Sequence, residues 1–232
     1  MREKNTKKKR MKKILVAVLT VLCYSYVIVS CSKDEIKKNE ATPTVTDTDG
    51  NIYHTVTIGT QTWMVENLKT TKYNDGTNIQ FRELNVGAYD YWHENGISTN
   101  DKYGALYNCQ AVNTGKLAPK GWHVPTVTDW ENLEAYLGGS SVAGGKLKSK
   151  TEWAAPNTGA SNESGLTALP GGLLTSLKTN SILYSGYWWS STDTGAKYTS
   201  QRYFYLSYNS TASDSQGYLI KSAYLSVRCI KD

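Results

Sequence analysis

The chain has 232 residues, of which 26 are Lys or Arg and 20 are Asp or Glu, a formal net charge of +6. Eight of those cations and a single acid precede Cys31, so the rest of the chain is close to neutral, at −1. A neutral domain has no field with which to gather phosphates, which excludes nucleic acid as a partner, and the length leaves room for one domain with a real core.

Met1 to Lys13 is basic, and Ile14 to Cys23 is an apolar run with one Thr; Tyr24-Ser-Tyr-Val-Ile-Val-Ser30 then leads to Cys31. A charged head and a short apolar stretch form a signal peptide over residues 1–30, since a permanent span needs about 20 apolar residues. An uncleaved anchor is the alternative reading. Met11-Lys-Lys-Ile would itself make an ordinary leader start, which leaves the true start at Met1 or Met11. Residues 31–50 carry Lys-Asp-Glu, Lys-Lys-Asn-Glu and Thr-Pro-Thr-Val-Thr-Asp-Thr-Asp-Gly, with little that is apolar, and read as a solvated tether. The domain proper is expected over 51–232.

Tyr53 to Gly59 and Gln61 to Leu68 are β-rich and flank a turn at Gly59-Thr60. Tyr73-Asn-Asp-Gly76 is a second turn signal. A helix follows Gly121-Trp-His-Val-Pro125: Thr126 is the N-cap, Asp129 has capping-box spacing, and Gly138-Gly139 stops it. Val127, Trp130, Leu133 and Leu137 fall on one face of that helix. A second, shorter helix runs from Ser140 or Ser141 towards Lys150, weakened by Gly144-Gly145. Tyr187 to Ser191 and Arg202 to Tyr208 read as strands, and Ser222 to Ile230 as one terminal strand. Few helices among many short strands and long turns imply an α+β domain.

Two cysteines, Cys109 and Cys229, remain beyond the anchor position. In an oxidising compartment they are expected to pair, the alternative being two buried thiols. His54, His93 and His123 have no paired-His spacing, and CxxC is missing, so neither a metal nor a cofactor is expected. His93 suits a solvated loop and His123 a packed imidazole. No strained G-x-S-x-G elbow surrounds the serines of Gly159-Ala-Ser-Asn or Glu163-Ser-Gly165. Asp129, Glu131 and Glu134 lie on the helix, where cap and solvated-face roles suffice. No catalytic residue is assigned, which favours a non-enzymatic protein.

The chain carries 17 Tyr and 7 Trp against 2 Phe. Such side chains join a flat apolar face to a polar handle, which suits core packing, sugar stacking and protein recognition alike. Trp63, Trp122, Trp130, Leu133 and Leu137 sit in hydrophobic patterns and are expected in the core. Trp188 and Trp189 are adjacent, so on a strand they point to opposite faces: one is core and the other a contact candidate. With Tyr187 and Tyr203 they form the expected ligand platform.

Two resemblances add to this. Ile28-Val-Ser-Cys31 is similar to a lipobox, with Val29 where a small residue is commoner. Ser32-Lys-Asp-Glu35 resembles the export signal of Bacteroidetes lipoproteins. Together they imply lipidation of Cys31 and an outer-membrane, cell-surface location. Thr57-Ile-Gly-Thr-Gln-Thr-Trp-Met-Val-Glu-Asn-Leu68 resembles the opening of the Fibrobacter succinogenes major paralogous domain. So do Tyr103-Gly-Ala-Leu-Tyr-Asn108, Ala118-Pro-Lys-Gly-Trp-His-Val-Pro-Thr126 with Trp130, Trp189-Ser-Ser-Thr192 and Ser226-Val-Arg-Cys-Ile-Lys-Asp232. The phrases follow the family order across the mature domain.

Trp122 to Trp130 and the closing Val-Arg-Cys are also similar to the formylglycine-generating fold, a variant of the C-type lectin fold. That resemblance implies a twisted, mainly antiparallel sheet, two short helices and long loops. It brings no activity, because the redox cysteine pair of those enzymes is reduced here to Cys229 alone, and the calcium phrases of classical lectins do not occur. The resulting expectation is a lipid-tethered, non-enzymatic module for a glycan or protein ligand. A polysaccharide-active enzyme and a structural part of a surface assembly are the alternatives.

Overall fold

The structure, a computed structural model, describes residues 42–83, 86–91, 93–94, 97–98, 100–175, 178–192, 200–220 and 222–232. The leader, Cys31 and residues 32–41 of the expected tether lie outside them. Two main sheets and a few short helices make up a mixed α+β domain.

The first sheet has five strands in the order β1 (Thr44–Thr46), β2 (Ile52–Ile58), β3 (Gln61–Met64), β16 (Ile230–Lys231) and β9 (Trp122–His123). β2 and β3 form a hairpin with Ile58 opposite Gln61, and Gly59, at φ +63°, supplies the positive φ that so tight a turn requires. Residues 44–50 belong to the domain and not to a tether. Val45 pairs with Tyr53 across β1 and β2. Asp47 is buried and accepts the backbone N–H groups of Asp49 and Asn51 and, at 2.6 Å, the Tyr53 hydroxyl. A polar Thr-rich run looks like linker by composition, yet Thr suits a strand once a partner edge is present.

The second sheet has nine strands. Its main path runs β14 (Ser213–Ile220), β13 (Ser200–Ser207), β12 (Ser185–Trp189), β15 (Tyr224–Ser226), β8 (Leu106–Asn108), β5 (Ala88–Asp90) and β4 (Gln80–Phe81). β10 (Leu173–Thr175) pairs with β15 and with β11 (Lys178–Asn180), while β6 (His93–Glu94) and β7 (Ile97–Ser98) pair apart from both sheets. Most pairs are antiparallel; β12–β15 and β4–β5 are parallel.

Two very short helices, α1 (Asn100–Tyr103) and α2 (Cys109–Asn113), flank β8. The longer α3 (Val127–Tyr136) opens with a reciprocal capping box between Thr126 and Asp129. Its inner face puts Trp130 flat on Phe204 of β13, with centroids 4.2 Å apart, and 4.6 Å from Trp63 of β3. Helix α3 therefore lies over both sheets, with Leu133 and Leu137 buried beside Trp130. After Gly138-Gly139 comes α4 (Ser140–Leu147). Its two glycines are packing sites: a Cβ at Gly144 would strike the Ala212 carbonyl, and one at Gly145 would lie 2.6 Å from the Gly159 oxygen. Close backbone approach offsets the weak helix propensity of Gly.

The end of the chain departs most from the sequence reading. A single terminal strand was expected, but the chain forms β15 in one sheet and β16 in the other. Val227-Arg228-Cys229 is the crossing, tied to the end of β3 and the segment after it by Met64 N–H to Cys229 O (3.0 Å) and Leu68 N–H to Val227 O (2.8 Å). At the crossing Arg228 is fully buried. Its Nε and Nη2 both donate to Asn67 Oδ1, at 3.1 and 2.9 Å, and Nη1 donates to the Leu166 carbonyl. Trp188 Nε1 donates to the same Asn67 oxygen at 2.8 Å, and Asn67 Nδ2 donates to Tyr103 O. Burial lowers the guanidinium to about 9, partly countered by the Glu66 charge, so it stays cationic at neutral pH.

The expected disulfide does not form. Cys109 and Cys229 are both thiols buried in the same apolar cluster, with Leu225, Val227 and Tyr107. Burial raises the Cys229 thiol well above its usual range, which makes it a small inert hydrophobe. Lys148, also buried, donates to the carbonyls of Thr158, Ser207 and Ser210, each at 2.9 Å, and so ties the loop at Thr158 to the end of β13 and the turn after it.

Burial, reinforced by the Asp47 hydrogen bond, raises the Tyr53 phenol far above the ordinary value near 10, and burial does the same to Tyr107. A raised folded pKa contributes stability that is complete below pH 10 and is lost as pH climbs towards the folded value. Thermal midpoints should therefore fall steadily once pH passes about 10, and part of the tyrosinate absorbance should develop only as the circular dichroism signal unfolds. Full tyrosine ionisation in a still-folded protein would contradict this.

Candidate functional site

Strands β12 and β13 carry the residues singled out for ligand contact, and their register is Trp189–Tyr203, Trp188–Phe204 and Tyr187–Tyr205. Residues opposed across a ladder share a face, so Trp188 and Phe204 point one way and Tyr187, Trp189, Tyr203 and Tyr205 the other. The first face lies under α3.

Neither tryptophan is a surface contact. Trp188 is 2% exposed and is fixed by the Asn67 bond; Trp189 is 0% exposed and donates to the Tyr107 carbonyl at 2.6 Å. The alternation rule correctly sends them to opposite faces. It fails to expose either one because β12 is an interior strand with both faces covered, the second by the cluster that holds Leu225, Val227 and Tyr107.

Tyr187 and Tyr203 do come together. Both are half-buried, with their rings edge to face at 5.5 Å, and Tyr205 completes the group at 4.9 Å from Tyr187. Tyr205 was not singled out from sequence, although its two-residue offset from Tyr203 places it on the same face. The Ser185 hydroxyl lies 3.4 Å from the Tyr205 hydroxyl, and Asp214 of β14 stands opposite Tyr205 in the ladder. Burial raises the Tyr203 phenol, with Asp214 adding to the effect, and burial also raises Tyr187. These hydroxyls therefore stay protonated at neutral pH and can donate as well as accept. The patch offers flat rings, phenolic donors and one neighbouring carboxylate, which is equipment for holding a ligand.

The other candidates serve elsewhere. Trp122 is half-buried and not fully buried: it packs against the apolar cluster of Tyr53 and Met64 and also lines a groove with Thr55, Thr57, Thr62 and Lys231. His123, next to it, bridges Asp232 at 2.7 Å and Asp129 at 3.3 Å and is half-exposed, so it is not a packed core imidazole. His54 pairs with Glu66 at 2.7 Å on the surface, and the His93 side chain lies outside the described residues. Among the described residues, no group of three or more His, Cys, Asp or Glu could hold a metal ion.

The acids of α3 are occupied. Asp129 closes the capping box, and Glu131 accepts from Gln216 Nε2 at 2.6 Å. Glu134, expected on a solvated face, is buried and accepts the hydroxyls of Ser213 and Ser215 from β14. Strand β14 was not foreseen, and so neither was the partner that makes a buried carboxylate tolerable.

The recurrent phrases meet one another in space. Ser191 donates its hydroxyl to Val124 O at 2.6 Å, and Thr192 Oγ1 accepts the Val127 N–H at 2.8 Å, so Trp-Ser-Ser-Thr holds the start of α3. Gly104, at φ +75°, sits against the Asn67 segment, where a Cβ would come within 2.8 Å of Asn67 Cβ and Leu68 O. A side chain there is excluded by backbone conformation and by space.

Comparison with known families matches the Fibrobacter succinogenes major domain over residues 56–231. No curated protein and no solved structure matches the chain. The match runs from β2 through β16 and takes in Asn67, Gly104, Trp188 and Arg228, which the fold gathers around one buried contact; this chain belongs to the Fibrobacter succinogenes major domain family.

Proposed function

We propose that this protein is an outer-membrane lipoprotein, held at the cell surface through Cys31, whose domain is a non-enzymatic binding module for a glycan or protein ligand. The observation that carries the reading is the half-exposed group of Tyr187, Tyr203 and Tyr205, with Ser185 and Asp214 beside it. Aromatic rings with polar tips give contact area at low entropic cost, and a rigid sheet presents them in fixed geometry. The basic head, apolar stretch and Ile28-Val-Ser-Cys31 of the sequence support the anchor. Among the described residues no helix is long and apolar enough to cross a membrane.

A C-type lectin-like architecture belongs to the same reading. Its support is the pairing of mainly antiparallel sheets with the two longer helices, α3 and α4, and with long connecting loops.

Glycan arrays and pull-downs with the intact protein should give a saturable ligand whose affinity drops about tenfold or more, ~1.4 kcal/mol, in Tyr203→Ala and Tyr205→Ala. Binding unaffected by both substitutions would refute the tyrosine site, and turnover of the bound glycan would refute the non-enzymatic assignment. Cys31→Ala should move the protein from the membrane to the soluble fraction; membrane retention would contradict the lipid anchor.

A further inference from the structure

One face of the five-stranded sheet feeds the core through Tyr53 and Met64, and beside them it carries a cross-strand row that the tyrosine patch does not use. Thr57 stands opposite Thr62 across β2 and β3, and Lys231 stands opposite Trp122 across β16 and β9. The Ile230–Trp63 pair fixes the remaining register, which puts Lys231 opposite Thr62. Thr57, Thr62, Lys231 and Trp122 are therefore one cross-strand row on one face, spanning three strand spacings or roughly 14 Å. The row behind it, Val56, Trp63 and Ile230, points into the core.

The front row borders a groove of about 560 Å3 that is also lined by Pro43, Val45 and Thr55. That volume lies within the range of small-ligand sites. Its lining holds one cation and no acid. Among the described residues Lys231 makes no ion pair, and it is exposed; the neighbouring Asp232 is turned to His123 instead. The hydroxyls of Thr57 and Thr62 share one hydrogen bond at 3.1 Å, which uses one of their two protons and leaves lone pairs on both. Thr55 donates to the Pro43 carbonyl and keeps its acceptor capacity. An aromatic ring, a series of hydroxyls and an unpaired ammonium in a straight line match the apolar ring face, the hydroxyls and the carboxylate of an acidic sugar.

We propose that this groove is a second binding site, separate from the tyrosine patch, for a glycan chain containing uronic acid residues. In it Trp122 stacks on a pyranose ring, the threonines exchange hydrogen bonds with sugar hydroxyls, and Lys231 pairs with the sugar carboxylate.

The test is calorimetric titration of the full chain, with tryptophan fluorescence alongside, using oligogalacturonate and a neutral galactose oligomer of equal length as probes. Oligogalacturonate should bind saturably, perturb the emission and weaken as salt rises. Lys231→Gln, at an exposed position, should reduce affinity about fivefold and bring it near that of the neutral oligomer, as expected for one solvated ion pair. Trp122→Phe should weaken both probes, and Tyr203→Ala should leave oligogalacturonate unchanged. No saturable binding would overturn the proposal. Equal affinity for the neutral oligomer, or for a poly-glutamate peptide, would overturn it too, as would loss of binding in Tyr203→Ala but not in Lys231→Gln.

Discussion

A single amide oxygen, Asn67 Oδ1, accepts hydrogen bonds from Trp188 and twice from Arg228, and the two-sheet arrangement depends on it. Arg228 sits where the last segment leaves one sheet for the other, Asn67 follows the β3 hairpin strand, and Trp188 belongs to β12. Among the described residues Arg228 has no ion-pair partner, so its charge is tolerated through hydrogen bonds, the Trp188 ring 5.9 Å away and the more distant Glu66 charge. A buried cation held in this way is costly to disturb, since removing one partner leaves a charge without compensation. The contact thereby sets where the chain crosses and which way β12 faces.

This geometry gives the family's recurrent phrases a physical meaning. Glu-Asn-Leu supplies the acceptor and Val-Arg-Cys a donor, joined by Trp188 just ahead of Trp-Ser-Ser-Thr, and the glycine of Tyr-Gly-Ala-Leu makes room for Asn67. Trp-His-Val-Pro-Thr and Trp-Ser-Ser-Thr hold the start of α3. Signature residues of this kind are scaffold. In the binding role we propose, ligand recognition falls to what the scaffold displays: the tyrosines of β12 and β13, and the Thr–Thr–Lys–Trp row across the smaller sheet.

What could be read from sequence was local. The Thr126–Asp129 spacing, the Gly138-Gly139 stop and the Gly59-Thr60 turn are all settled within a few residues. The errors arose where a distant element decides. Trp188 and Trp189 alternate as a strand requires, but only the layers on both sides of β12 bury them both. Trp122 and Trp130 look alike in a hydrophobic stretch, yet a two-residue edge strand leaves Trp122 half-buried while a helix buries Trp130 completely. Strand β14 opens on the polar run Ser-Asp-Ser-Gln-Gly, without an apolar alternation of its own, and exists because β13 offers an edge. Cys109 and Cys229 occupy one apolar cluster, where burial as thiols suffices.

The most direct measurement is equilibrium unfolding of Asn67→Ala, Arg228→Met and the double variant. Stranding the buried guanidinium in Asn67→Ala should cost about 3–5 kcal/mol, and removing the charge as well should recover part of that loss, so the two effects should not add. A loss below ~1 kcal/mol in Asn67→Ala, or strict additivity in the double variant, would mean that the two sheets are held together elsewhere.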